Sequence, residues 1–183
     1  MTHKRQEAPG TLELVREFVN TADFEGEEEE LASPAGLARW LRAHDLLEPD
    51  TEVGEKDLQR ALAVREALRA QLRANNGFER DPQAVATLHE AANRAEIALS
   101  FDEAGASRLE PRTPGADGAI GRLLTIVHEA EHQGTWARLK ACPWHTCQWA
   151  FYDNTKNASG VWCTMEVCGN RAKAKAYRER HAR

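Results

Sequence analysis

Four cysteines, at positions 142, 147, 163 and 168, fall within the last 42 residues of a 183-residue chain. Their spacing is Cys142-x4-Cys147, then fifteen residues, then Cys163-x4-Cys168. Two close pairs split by a short segment are the pattern of a structural zinc site. Zinc takes four tetrahedral ligands, and four thiolates fill that set without leaving a position for substrate. The segment between the pairs must return the second turn to the first. Trp149, Phe151, the turn residues Asp153-Asn154, Lys156 to Gly160 and then Val161-Trp162 read as a hairpin that does so. His145, inside the first pair, is a further candidate ligand, although the four thiolates already complete the set. Two disulfides or redox-active thiols are the competing readings. The polar segment Met1 to Gly10 lacks the apolar stretch of a secretory signal, so a cytoplasmic location and zinc are expected. The expected cofactor is one structural Zn2+ per chain on Cys142, Cys147, Cys163 and Cys168.

The residues after Cys168 suggest a second chemistry. Gly169 permits a tight turn out of the cysteine knuckle, and Asn170 is placed to cap a helix rich in alanine and long basic residues. Arg171, Lys175 and Arg178 fall at i, i+4 and i+7 and form one basic stripe, with Lys173 and Arg180 on a neighbouring face. Residues 138–183 carry nine Lys or Arg against three Asp or Glu, a net +6. Residues 1–137 carry 15 against 26, a net −11. An acidic body with a basic tail suggests two modules, the second aimed at an anionic partner. A basic helix anchored to a zinc site suits nucleic-acid phosphates. The aromatics Trp144, Trp149, Phe151, Tyr152 and Trp162 could stack on bases. They also suit the miniature core that so small a module needs, and that is the expectation adopted.

Two further constellations bear on function. His128-Glu129-Ala130-Glu131-His132 matches H-E-x-x-H, which places two histidines on one helix face beside a glutamate. Zinc hydrolysis needs a third protein ligand and an open position. His89, Glu90 and Glu96 are the nearest candidates, and no segment announces itself, so an ordinary polar helix face is expected rather than an enzyme. Asn20, Thr21 and Arg65 sit at polar positions among apolar helices. They could line a pocket for a small-molecule effector, or could cap a helix and pair with a carboxylate.

The elements that would position these groups follow from the hydrophobic periods. Leu12, Val15, Phe18 and Val19 repeat as a helix. Glu25 to Glu30 reads as a solvated loop, and Ser33-Pro34 opens a helix through Trp40 and Leu41. Glu55 to Asn75 is a long helix, with Gly77 beyond its end, and Asp81-Pro82 opens another. Ile97, Leu99 and Phe101 alternate before turn residues and Ser107 to Glu110, a short hairpin. A long helix from about Asp117 carries Ile120, Leu123, Leu124 and Val127 and runs towards Leu139. The expectation is a mainly α chain: a helical domain with a short β-hairpin over residues 1–138, then a four-cysteine finger of β-hairpin and C-terminal helix over 139–183. With 42% hydrophobic and 29% charged residues, the composition is that of a globular chain, and no apolar run approaches a membrane span.

The run from Cys163 through Cys168-Gly169-Asn170-Arg171 to Lys173 resembles the signature of the CGNR zinc-finger proteins. Gly134 to Cys142 resembles the lead-in to that finger. Phe18-Val19-Asn20-Thr21 and Leu37-Ala38-Arg39-Trp40-Leu41 are similar to the N-terminal helical ABATE domain of the same family. The resemblance spans nearly the whole chain. It implies a bacterial cytoplasmic protein, classed with stress-related transcription regulators, whose four cysteines bind zinc and whose tail contacts DNA. Family members often carry several arginines between the finger's strands. Here the matching stretch 154–160 has only Lys156, which leaves Arg171, Lys173, Lys175, Arg178 and Arg180 to carry the electrostatics. The leading expectation is a DNA-binding transcriptional regulator, alone or as a homodimer. The alternative is a zinc-stabilised protein-interaction module, and the remote one an HExxH metallohydrolase.

Overall fold

The computed structural model describes residues 7–181, so the first six residues of the polar segment 1–10 and the last two of the tail lie outside it. Helix α1 (Leu12–Val19) buries Leu12, Val15, Phe18 and Val19, the four positions that its period marks. Helix α2 (Pro34–Ala43) starts where Ser33 Oγ accepts the Gly36 amide at 3.1 Å, with proline in its first turn. Helix α3 (Glu55–Asn75) is locked at its start by Asp57, whose carboxylate accepts the Gly54 amide at 2.8 Å. Helix α4 (Pro82–Arg94) is capped by Asp81, which accepts from the Gln83 amide. Strands β3 (Ala98–Phe101) and β4 (Ser107–Glu110) pair antiparallel, and helix α5 (Gly115–His132) follows. The long α3 is central: α1, α2, α4 and α5 all pack on it, and Val64, Leu68 and Leu72 form the middle of the core.

Three local expectations are corrected. The acidic run Glu25–Glu30 is not merely a solvated loop. Strand β2 (Glu28–Glu29) pairs with β1 (Ala22–Asp23), and the Glu29 carboxylate meets buried Arg65 at 2.6 Å. Helix α5 stops at His132 rather than running to Leu139, because Gly134 takes a left-handed turn (φ +70°) that redirects the chain. A 3-10 turn, Trp136–Arg138, then leads into β5 (Leu139–Ala141). Strand β5 pairs with β6 (Ala150–Tyr152), Leu139 opposite Tyr152 and Ala141 opposite Ala150. The finger's hairpin therefore encloses the first cysteine pair, and the segment between the pairs leaves β6 as a loop. Sequence periodicity could not show this, because β5 is only three residues long.

That hairpin is fixed to the helices. Leu139, Ala141, Ala150 and Tyr152 belong to the main hydrophobic core. Asn20, at the end of α1, pairs its side-chain amide with both backbone groups of fully buried Ala150: Nδ2 donates to the carbonyl at 2.9 Å and Oδ1 accepts the amide at 2.8 Å. The side chain thus does for β6 what another strand would do. Arg69 on α3 donates to the carbonyls of Val19 (2.6 Å) and Gln148 (2.9 Å). Asn75 donates to the carbonyls of Trp136 and Leu139, and Asn76 to those of Ala141 and Val161. Replacing Asn20 by Ala strands two buried backbone groups, each worth about 1–3 kcal/mol, so the variant should be about 2–6 kcal/mol less stable. A urea melt of wild type beside Asn20→Ala measures it, and equal midpoints would refute the anchoring role.

Candidate metal centre

The two cysteine pairs arrive on unlike supports. Cys142 follows β5 and Cys147 precedes β6, and this first knuckle is closed by the Cys142 amide donating to the Trp149 carbonyl and the Cys147 amide to that of Trp144, both 2.9 Å. Gln148, just past it, holds a left-handed backbone (φ +47°), a conformation that disfavours side chains. The bond from Arg69 to its carbonyl pins that residue. Cys163 ends the loop from β6, and Cys168 lies in a wide helical turn, Met165–Gly169, that runs directly into α6 (Asn170–His181).

The four sulfurs converge within 4.8 Å of one another. Cys147 Sγ lies 3.5 Å and Cys168 Sγ 3.6 Å from Cys163 Sγ. Those separations are far too long for a disulfide, whose sulfurs sit about 2.05 Å apart. They match the edge of a tetrahedron with metal–sulfur bonds of about 2.3 Å, which is about 3.8 Å long. The ionisation chemistry agrees. Hydrogen bonds from the Cys147 and Cys163 thiols hold Cys142 down to about 2, and backbone amides of Trp144 and Cys163 add to them. Those same bonds push the Cys163 thiol up, and burial followed by the charge of its neighbours pushes Cys168 up to about 12. One proton leaves readily and the rest are held back, because four thiolates cannot crowd together without a cation. A divalent ion removes that conflict. The donor set is four sulfurs, closed and without an open position, so an ion there would hold structure and not bind substrate.

Around the sulfurs, Phe151, Trp144, Trp149 and Trp162 form the small apolar cluster expected of them, joined by Val167, whereas Tyr152 belongs to the main core. Beneath it lies a polar node that spacing and periodicity do not mark. Asp153, 2% exposed, accepts Lys140 Nζ at 2.8 Å, the amide and hydroxyl of Thr155, and the Gly160 amide. Lys140 directs its other two protons to the carbonyls of Ala158 and Gly160. Although burial opposes ionisation, these donors hold the Asp153 carboxyl down to about 2. Gly160 cannot be larger, because a Cβ there would lie 2.7 Å from the carboxylate. Every polar group of the pair is satisfied, and the node folds the whole loop from Asp153 to Gly160.

The run Cys168-Gly169-Asn170-Arg171 acquires a role at each position. Cys168 is a ligand, and Gly169 passes so close to Met165 that a Cβ would meet its side chain at 2.7 Å. Asn170 does not cap the start of α6 as expected; its Nδ2 donates back to the Glu166 carbonyl at 3.0 Å and joins the wide turn to the helix. Arg171 pairs with Glu25 at 2.6 Å. Lys173, Lys175, Arg178 and Arg180 are exposed, and no residue of α6 is buried.

The other residues singled out lie elsewhere. His145 is exposed beside Trp144 and is not among the gathered ligands. His128 and His132 are exposed, their rings edge to face at 4.4 Å. Among the described residues, the four cysteines are the one group of three or more His, Cys, Asp or Glu side chains placed to share an ion, so the H-E-x-x-H pair lacks a third ligand there. Asn20 lines a cleft of about 420 Å³ beside Arg16, Trp40 and His44, whose lining does not include Thr21 or Arg65. Asn20 is bonded to Ala150, Thr21 Oγ1 donates to the Phe18 carbonyl, and Arg65 is bonded to Thr21, Glu29 and Glu66.

This architecture defines a class: a helical domain carrying a four-thiolate finger that ends in a basic helix. Residues 138–181 match the CGNR zinc finger. Residues 12–135 match ABATE, described as "Putative stress-induced transcription regulator", and the chain belongs to that family. No curated protein matches it.

Metal analysis should return one zinc per chain, unchanged in a His128→Ala/His132→Ala variant and absent when Cys142 and Cys168 are both replaced by Ser. Zinc retained in the cysteine variant would refute the ligand set. Replacing Asp153 by Asn leaves a buried lysine without its counter-charge and should destabilise the protein by about 3–5 kcal/mol, read by chemical denaturation at pH 7. A change under about 1 kcal/mol would show that the node is dispensable.

Proposed function

We propose that this chain is a DNA-binding transcriptional regulator of the cytoplasm, in which zinc is structural and α6 contacts the phosphate backbone. The observation that carries this reading is the placement of α6. Within the described residues it packs on the wide turn Met165–Gly169; Lys173, Lys175, Arg178 and Arg180 face solvent, and half-buried Arg171 pairs with Glu25. A helix keeps its faces clear of its own domain when its partner lies outside. Arg171, Lys175 and Arg178 make the main stripe, and Lys173 and Arg180 flank it. The net charge of −5 opposes DNA, so affinity must come from this segregated tail. Lys156, exposed on the finger loop, adds one more cation. Membrane attachment has no support in the helices: among the described residues none is long and apolar enough to cross a bilayer.

The same geometry serves an interaction module if the partner is an acidic protein, and titration on DNA separates the two. Wild-type binding to genomic fragments should weaken steeply with salt. Every phosphate that a missing cation leaves unneutralised lowers the slope of log K against log salt by about 0.9, so replacing Arg171, Lys175 and Arg178 by Ala should flatten it by about 2–3. Alanine preserves the helix. Wild-type binding that ignores salt, or a variant that matches wild type, would overturn the DNA reading.

A further inference from the structure

The four ligands are not equally protected. Cys142, Cys147 and Cys168 are 0%, 5% and 1% exposed, whereas Cys163 is only half-buried. Cys163 is also the one ligand that lines a cleft of about 530 Å³ between the Asp153 loop and the second knuckle. Its other walls include Phe151, Tyr152, Val161, Trp162 and Met165, flat or flexible apolar groups. A zinc-bound thiolate keeps lone pairs, and its reactivity depends on what can reach it. Here the cleft brings an apolar, partly aromatic wall up to one residue of the centre.

We propose that Cys163 is a modification site for planar conjugated carbonyl electrophiles, and that its alkylation releases the zinc ion. A lone pair of Cys163 Sγ forms a bond to the β-carbon of the electrophile. The π pair moves to the α-carbon, which takes a proton from water. The product is a neutral thioether, so the ion is left with three of its four anionic ligands, with no change of oxidation state. The consequence for the fold is one-sided. The first knuckle stays fixed to the helices through Asn20, Arg69, Asn75 and Asn76. The second knuckle and α6 lose the ion and keep only lighter ties, the Asn76 bond to the Val161 carbonyl and the partly exposed Arg171–Glu25 pair. The proposal rests on the zinc centre and not on DNA binding.

The test treats zinc-loaded full-length protein with one equivalent of N-ethylmaleimide, maps the adduct by peptide mass and follows zinc release with a chromogenic chelator. The first label should fall on Cys163, about fivefold or more ahead of any other cysteine, with one zinc freed per label. Val161→Trp, at an exposed position on the cleft wall, should slow labelling several-fold while zinc content stays at one per chain. Labelling that begins at another cysteine, a filled cleft that labels at the wild-type rate, or zinc that stays bound after Cys163 reacts would each overturn the proposal. Protein that carries no zinc before the label is added would instead overturn the metal centre itself, so the two failures are distinct.

Discussion

Four sulfurs held within one coordination sphere are the constraint on which the finger depends. Bringing four thiolates within 4.8 Å is unfavourable unless a cation compensates. The pairs answer that constraint differently. The first is built on a hairpin whose outer edge is already satisfied by the helical domain, so its position does not depend on the ion. The second sits at the end of a loop and at the start of a helix with no buried residue. For that half, the energy of metal binding is the energy of folding. The ion is thus less a staple for the whole chain than a hinge pin between a fixed part and a free one.

Polar side chains complete what apolar burial of Leu139, Ala141, Ala150 and Tyr152 begins in the fixed part. Strands of three residues cannot bury enough surface to hold themselves, and isolated hairpins are marginal in water. Asn20, Arg69, Asn75 and Asn76 each reach backbone carbonyls that the short hairpin and its flanks leave unpaired. Hydrogen bonds of this kind contribute only about 1 kcal/mol each when made, but removing one costs more where it is buried, as at Ala150 and Val19. Lys140 and Asp153 follow the same logic inside the finger. A buried ion pair is not in itself a strong stabiliser. Its value here is specification: amides, a hydroxyl and carbonyls of the loop all converge on one carboxylate and one ammonium, and only one loop path satisfies them.

What the sequence makes legible is local. Cysteine spacing identifies the metal site, and the periods of α1, α3 and α5 identify the core faces. Asp81-Pro82 and Ser33-Pro34 mark helix starts to the residue, and the alternation through Leu99 and Phe101 marks the β3–β4 hairpin. What it hides is non-local. Asn20 lies 130 positions from Ala150, and Arg69 lies 79 from Gln148. No periodicity records such a bond, and a polar residue at a helix end reads first as a cap. The effector reading of Asn20, Thr21 and Arg65 has the same origin: polar groups among apolar ones signal either a pocket or a buried network, and only the partners distinguish them. The placement of the finger hairpin is hidden for a different reason. Three-residue strands are too short to show alternation, so the longer aromatic stretch after Cys147 draws the expected hairpin one knuckle too far along.

Charge segregation bears on how the free part is held. The body carries −11 over residues 1–137 and the tail +6, so the two attract each other unless the fold keeps them apart. Among the described residues one ion pair joins the two, Arg171 with Glu25 of the β1–β2 turn, and both side chains are about 40% exposed. A pair so open to water is worth at most about 1 kcal/mol. A phosphate can therefore replace Glu25 on Arg171 at little cost, while Glu25 still biases α6 toward one orientation when no anion is present. Lys175 is loosely placed at 3.9 Å from Glu179 on its own helix, which leaves its charge available in the same way. The acidic body thus orients the basic helix without neutralising it. That is possible only because the wide turn Met165–Gly169, and not a hydrophobic face, fixes where α6 begins.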